Sequence, residues 1–593
     1  MLSGLDFFIF FFSMAAVMLI GLLAGKGKET SSEDYFLAGR SIPWWGVAGS
    51  IFGTNISANH LVGMMGIGFS VGFAQTHFEI GAVIALLLLG YVFLPIFLEL
   101  KIFTLSGYLE KRFGDTAGLI YALLSFVLIL VQMTAAYYIG SRTLNTLLSS
   151  DLGYIGGILL LIGISCTYTI FGGLKAVVWT DVFQSSVLLI AGILVAILTF
   201  NHPEVGGWTG FMARDAAQAV PKMNLYLASD HPQLPWTGVF TGLFIMHIFY
   251  WGNNQYLVQR ALAAKSLTHA RYGMFAGGLL KLLVPFFSIA GGIAAAQLFS
   301  AIGKPDIAPD DAFPELVKLV VPFGYGIIGI IAAGLLGAII SSIDSMMNSA
   351  ATIATIDIYK KYIDPEVSEK KMVWIGRVCI ITIVIISATL AVLTYDPTGK
   401  TNFFLVVSSQ SSYFTPGIVA AFLLGIFNKS ITHRGAVIAI LICPIFSYLF
   451  EYLYDTNLGQ LSIFSELFGE KINFMHRAFV AFIVSFTSAF LASGKDKNNS
   501  QYTWHNMVAN PESLNLAFKK LWGIIIGLCV LALGAYFNLL PRWVLGGIAT
   551  IGIFYAFASH IKQYPREGLT FIGDDRFYAG LLAGLSVLIL FLF

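Results

Sequence analysis

Residues 43–70 read PWWGVAGSIFGTNISANHLVGMMGIGFS, and the fold turns on what this stretch does in a bilayer. As a helix it is about 40 Å long, more than the roughly 30 Å of a hydrocarbon core, so its centre near Ile56 falls close to the midplane. That centre is the most polar part of the stretch: Thr54, Asn55, Ile56, Ser57, Ala58, Asn59 and His60. Glycines flank it, Gly46, Gly49 and Gly53 before and Gly63, Gly66 and Gly68 after, so the backbone can loosen and neighbouring helices can come close. A Gly-rich packing helix with a few satisfied polar groups would share this pattern. An interruption at this depth is tolerated only where the freed carbonyls and amides face protein or a water-filled cavity, so the stretch predicts a broken span with a polar site at the break.

The rest of the chain sets that span among many others. The 593 residues are 57% hydrophobic and 11% charged, against about a quarter charged in soluble proteins, and the expectation is an all-α polytopic membrane protein. A net charge of +2 gives no reason to expect a nucleic-acid partner, and nothing in the sequence implies a partner protein. Cys166, Cys379, Cys443 and Cys529 all fall in apolar runs, which predicts neither a disulfide framework nor a thiolate metal site. Phe7 to Ala24 lacks a basic start and a small-residue cleavage pattern, and reads as a first span.

Apolar windows recur to the last residue, about sixteen in all. They are 6–24, 43–70, 78–98, 117–147, 153–171, 180–200, 237–260, 272–302, 324–359, 372–394, 401–427, 432–453, 473–492, 520–540, 543–560 and 577–593. With the amino terminus outside, about 24 of the 34 basic residues fall in inner loops, Arg260, Lys265 and Arg271 among them, which sets both termini on the extracellular or periplasmic side of a plasma membrane. The outer loop 201–236 is expected to form short helices over the mouth. The polar inner loop 493–519 reads as a tether or a regulatory contact.

Ionisable side chains inside spans are costly and mark functional positions. Here they are His60, Glu79, Asp181, His247, Lys281 and Asp344. No phosphate-binding loop, H-E-x-x-H helix, nucleophile elbow or potassium filter occurs, so ATP-driven transport, intramembrane hydrolysis and a potassium channel lack their parts. In window 324–359 the run Ser341, Ser342, Ile343, Asp344, Ser345 is followed by Asn348, with Ser341, Asp344 or Ser345, and Asn348 on one helix side. Hydroxyls facing the Gly53–Ile56 carbonyls would cage a small hard cation, although serines on membrane helices also bond their own preceding turn. A third cluster, His247, Tyr250, Trp251, Gly252, Asn253 and Asn254, sits mid-span rather than at an interfacial belt; its aromatic faces suit a sugar, with His247 as a hydrogen-bonding neighbour.

These residues carry a resemblance. Glu33-Asp34-Tyr35-Phe36-Leu37-Ala38-Gly39-Arg40 ahead of Pro43-Trp44-Trp45, Asn55-Ile56-Ser57-Ala58 and Val178-Trp179-Thr180-Asp181-Val182 resemble the sodium/solute symporters. So do Tyr250-Trp251, Gln259-Arg260-Ala261-Leu262-Ala263-Ala264-Lys265, Asn348-Ser349-Ala350 and Asp357-Ile358-Tyr359-Lys360. Within that family the chain is similar to the sodium/glucose branch, including the bacterial sodium/galactose symporter, from about Phe7 to Leu540. The resemblance implies a LeuT-like core of two inverted five-helix repeats, at 43–200 and 237–427, each opening on a broken helix. Residues 1–42 would be a first span and inner loop, 201–236 an outer loop, and 428–593 peripheral spans.

It further implies sodium held by the carbonyls of Gly53, Ile56 and Ala338 and the hydroxyls of Ser341 and Ser342. The sugar would be ringed by Asn55, His60, Glu79, Tyr250, Trp251 and Lys281, with Ser408 or Gln410 from the 401–427 span. Departures from the family pattern fall on the substrate wall: His60 resembles the vertebrate glucose cotransporters rather than the galactose symporter, Phe78 replaces a tyrosine, His247 an asparagine or threonine, and Ser408 a glutamine. Asp344, beside Ser345 and near Asp181, matches a second sodium site of some members. The expectation is a non-enzymatic symporter that imports a sugar or related polyol with one or two sodium ions and no organic cofactor. Three other readings remain open at this point: a carboxylate such as a sialic acid or short-chain acid as solute, a non-transporting sugar sensor or sodium leak, and proton coupling through His60 or His247.

Overall fold

In lipid only a helix or a closed barrel satisfies its own backbone, and among the described residues every regular element is a helix. The computed structural model describes residues 3–26, 31–57, 59–148, 153–394, 403–494, 501–507, 511–566 and 568–593. The charged run at 495–500 of the inner loop lies outside them, as does Ala58.

In chain order the main helices are α1 (Gly4–Ala24), α2 (Trp44–Asn55), α3 (His60–Ser70), α4 (Phe73–Glu99), α5 (Asp115–Leu148) and α6 (Gly153–Phe200). There follow α7 (Phe244–Gly252), α8 (Gln255–Leu262), α9 (Leu267–Ala301), α10 (Ile327–Ile363), α11 (Glu369–Leu393), α12 (Phe404–Ser411) and α13 (Thr415–Phe427). The chain ends with α14 (His433–Thr456), α15 (Phe474–Ser493), α16 (Lys519–Tyr536), α17 (Arg542–Gln563) and α18 (Asp575–Leu592). By length and apolarity 12 of the described helices can cross a membrane, or 13 if the bent pair α12 and α13 counts as one span.

The sequence windows exceed that number for physical reasons. Windows 153–171 and 180–200 are two helices that run together as α6 across a break in helical geometry at Gly173, and the count by length takes them as one. There the backbone takes φ 52 and ψ −151, and a Cβ would overlap the Tyr35 backbone, so glycine is required. Windows 43–70 and 237–260 are the interrupted ones, each divided into two helices too short to cross alone.

α2 starts after Pro43, whose extended backbone (φ −72, ψ 162) leads into the helix. It ends at Ile56, where φ −82 and ψ 88 leave helical space, and α3 resumes at His60. The expected break is therefore present, at the polar centre of the stretch. α7 stops in the same manner at Asn253, and Asn254 caps α8 by accepting from the Tyr256 amide.

Burial separates a core from a periphery. In α10, 89% of the most apolar window is buried, whereas in α16 only 6% is, and Phe8, Phe11 and Phe12 of α1 are exposed. So much exposed apolar surface is stable only against hydrocarbon. Helices α2, α3, α4, α6, α7, α9 and α10 carry buried polar residues singled out from the sequence, and that sets the site.

Candidate functional site

The break in α2–α3 opens onto a cavity of about 150 Å³ whose wall draws on α2, α3, α4, α5, α7, α8, α9, α10, α12 and α13. At its polar side Lys281 Nζ lies 2.5 Å from Glu79 Oε2 and donates to Asn55 Oδ1 at 2.9 Å. Asn55 in turn donates through Nδ2 to the Tyr250 hydroxyl at 3.3 Å. The Ser57 amide donates to His60 Nδ1 at 3.3 Å, which leaves the ring proton on Nε2, and Nε2 faces Glu79 Oε1 at 3.5 Å. Glu79 is fully buried and Lys281 nearly so. Removed from water, each charge depends on the other and on these hydrogen bonds.

Aromatic faces bound the same space. Lys281 Nζ sits 5.3 Å from the Trp251 ring centroid, and Tyr250 meets Trp251 edge to face at 5.5 Å. Opposite chemistry comes from Phe78 and Phe404, packed edge to face at 5.1 Å, with Met246 and Val407 beside them in the lining. His247 also lines the cavity. Its Nε2 lies 3.2 Å from the His77 carbonyl and packs against Gly81, so the ring acts mainly as wall. Ser408 lines the cavity while its hydroxyl donates to the Phe404 carbonyl at 2.8 Å, leaving its oxygen to accept.

Gln410 departs from the expected set: it is exposed and outside the cavity. Helical geometry gives the reason, because Phe404, Val407, Ser408 and Ser411 share the inward face of α12 at spacings of three and four. Gln132, Tyr256, Ser411 and Thr415 are polar cavity residues that escaped the sequence reading. Gln132 of α5 accepts at Oε1 from the Tyr256 hydroxyl at 2.5 Å, and both line the wall. A glutamine inside an otherwise apolar window was the available signal.

Beside the cavity lies an oxygen-rich cluster. Ser341 Oγ and Ser50 Oγ donate to the two carboxylate oxygens of Asp181, each at 2.5 Å. Ser342 Oγ donates to the Thr54 carbonyl at 3.3 Å, an acceptor freed by the end of α2, and to the Ala338 carbonyl at 3.2 Å. Gly53 comes so close that a Cβ there would stand 3.1 Å from the Asp181 carbonyl and 3.2 Å from Ser341 Oγ, so a larger residue would have to push these neighbours back by a few tenths of an ångström. Ile56 is fully buried at the helix end. Gly53, Ala338, Ser341 and Ser342 are thus brought together as expected, with Ile56 three residues on in the chain, and Asp181 joins them through Ser341.

The remaining predicted ligands have separate partners. Ser345 Oγ pairs with Thr54 Oγ1 at 2.7 Å and accepts from Arg260 Nη2 at 2.5 Å. Asp344 accepts from the Tyr168 hydroxyl. Arg260 corrects the charge count made from sequence: it is no inner-loop residue but a fully buried member of α8. Hydroxyls, carbonyls and one carboxylate form the donor set a hard alkali ion takes, without the soft ligands of a transition metal.

Broken helices meeting at a cavity that holds buried charged and polar side chains define a membrane transporter rather than an enzyme. The comparisons with known proteins agree. Residues 35–443 match the Sodium:solute symporter family, and the chain belongs to that family. A sodium/glucose cotransporter of Vibrio parahaemolyticus is 35% identical over 557 residues, covering 89% of this chain and 98% of that protein. Sodium/glucose cotransporter 1 of Ovis aries is 32% identical over 77% of this chain and 73% of its own length. Human sodium/myo-inositol cotransporter 2 is 32% identical over 71% and 66%. Among solved structures, a substrate-bound, outward-open Na+-coupled sialic acid symporter superposes with a TM-score of 0.69, covering 84% of this chain and 99% of that one at 21% identity, which establishes the shared fold.

Proposed function

We propose that this protein imports a sugar or related polyol together with sodium by alternating access. The observation that carries the proposal is the Glu79–Lys281–Asn55–Tyr250 chain at the cavity wall. It sets acceptors and donors alternately around one small space, and a hydroxyl is the group that donates and accepts at once. Trp251 and Tyr250 supply the face on which the apolar side of a pyranose or cyclitol ring packs. Relatives that carry glucose and myo-inositol support the same solute class. A carboxylate solute is disfavoured, since the Lys281 cation is already matched by Glu79 at 2.5 Å.

Asn55, His60, Phe78, Glu79, His247, Tyr250, Trp251, Lys281 and Ser408 form the proposed solute site. Gly53, Ile56, Ala338, Ser341 and Ser342 form the proposed sodium site. The proposal includes two inverted repeats at 43–200 and 237–427, sixteen spans, and both termini outside a plasma membrane. Sodium binding favours the outward-open state, solute then closes Tyr250 and Trp251 over itself, and both leave inward. Each charge falling through 100 mV releases about 2.3 kcal/mol, so the number of ions sets the concentrating power.

Asp181, Asp344 and Ser345 are proposed as a second sodium position. Asp344→Ala is then expected to lower the Hill slope of sodium-activated uptake from near two toward one, and an unchanged slope removes the second ion. The solute class is tested by melting the purified protein with and without sodium against D-glucose, D-galactose, myo-inositol and N-acetylneuraminate. A sodium-dependent rise in Tm with one of the first three is expected, because a ligand bound only to the folded state stabilises it. A rise with N-acetylneuraminate alone overturns the sugar reading.

A further inference from the structure

α12 and α13 meet at a bend of 53°. Pro416 writes it: its ring would clash with the Ser412 carbonyl one turn back and it has no N–H to give, so one helix must stop and another begin. α12 carries Phe404, Val407, Ser408 and Ser411 into the cavity wall, and α13 carries Thr415. The angle at the bend therefore sets how far this wall stands over the cavity.

A buried arginine from outside the proposed repeats sits on that bend. Arg477, near the start of α15, is 1% exposed. Its Nη2 donates to the Ser409 carbonyl at 2.9 Å and to Ser412 Oγ at 2.7 Å, its Nη1 to Glu451 Oε2 at 2.5 Å, and its guanidinium stacks 3.6 Å from the Tyr413 ring centroid. The Tyr413 hydroxyl donates to the same Glu451 carboxylate. One planar fork thus holds the last turn of α12, the link and the link's aromatic ring against Glu451 of α14, a geometry a lysine cannot reproduce. The same end of α15 grips the facing wall, where His476 Nε2 meets Thr237 Oγ1 at 2.7 Å just ahead of α7.

We propose that Arg477, with Glu451, is a positioning residue that latches the hinge at 412–414 and holds α12 closed over the cavity. It touches neither solute nor ion and acts through the placement of Phe404, Val407 and Ser408. The inference rests on reading the cavity as the solute site, but its test needs no solute. Val407→Cys supplies a reporter on the inward face of α12, and its rate of modification by a membrane-impermeant cationic thiosulfonate is read in proteoliposomes, with the reaction of the native cysteines in the parent subtracted.

Adding Arg477→Gln is expected to speed the reaction by about tenfold, since losing charge-assisted hydrogen bonds of this kind shifts a two-state equilibrium by about that factor. Arg477→Lys should give a smaller rise, and Glu451→Gln a rise of severalfold. An arginine needed only for folding would lower yield and Tm and leave the rate per folded molecule unchanged. That result in Arg477→Gln overturns the proposal; if that variant does not fold, the same result in Glu451→Gln overturns it. Uptake of labelled D-glucose measured alongside reports on the solute reading alone.

Discussion

Glu79→Gln is expected to cut sodium-driven sugar uptake by at least about a hundredfold in kcat/KM, and Lys281→Met by a similar factor. The two side chains lie 2.5 Å apart with almost no exposure. Removing one member of such a pair strands the other, at a cost of about 3–5 kcal/mol, and every 1.4 kcal/mol is tenfold. The single variants alone do not separate a structural pair from a solute-binding one. The double variant Glu79→Gln with Lys281→Met does: it strands no charge, so Tm should return to within a few degrees of the parent. Transport should stay lost, because the alternating donors and acceptors facing the solute are gone. Recovery of uptake along with Tm would mean that the pair holds the helices and never touches a solute.

The second large effect falls on the cation. Ser342→Ala is expected to raise the sodium concentration for half-maximal uptake by about tenfold, and Ser341→Ala with Ser342→Ala to abolish sodium dependence within the accessible range. Ser342 Oγ bridges the Thr54 and Ala338 carbonyls, and Ser341 Oγ holds Asp181. An ion stripped of water needs several hard oxygens at once, so losing one donor weakens the site and losing two leaves too few. The measurement is a sodium series at fixed membrane potential, with the ion's own flux followed by radioactive sodium. An unchanged sodium curve in the double variant would move the ion away from this cluster.

Much of this site was legible because membrane interiors punish polarity. Glu79, Lys281 and His60 stand out as ionisable residues in apolar windows, and the structure joins all three. Asn55 was marked by the break, which Gly53 and the polar run 54–60 announce. Gln132 and Tyr256 were not legible as a pair: they lie 124 residues apart, and only the packing of α5 against α8 brings them together. Gln410 failed for a local reason. In a helix, a residue two positions along lies on another face, so Ser408 points inward and Gln410 does not.

Arg260 shows the limit of counting charges by loop. The count treats every arginine near a span end as solvated, yet this one is buried against Ser345. Arg477 was passed over for the same reason, because its value depends on Pro416 and Glu451 in other helices. The windows at 153–171 and 180–200 were found, but the break that divides α6 between them depends on a single left-handed backbone position, Gly173.

The most direct test is accumulation in proteoliposomes of the purified protein, with an inward sodium gradient and a negative interior, using labelled D-glucose, D-galactose and myo-inositol. At least one of the three should rise inside above its outside concentration, only with sodium outside, and collapse when a sodium ionophore is added. Accumulation of none of them, or equal uptake with choline or a proton gradient replacing sodium, would contradict a cation and a hydroxylated solute sharing the break between α2 and α3.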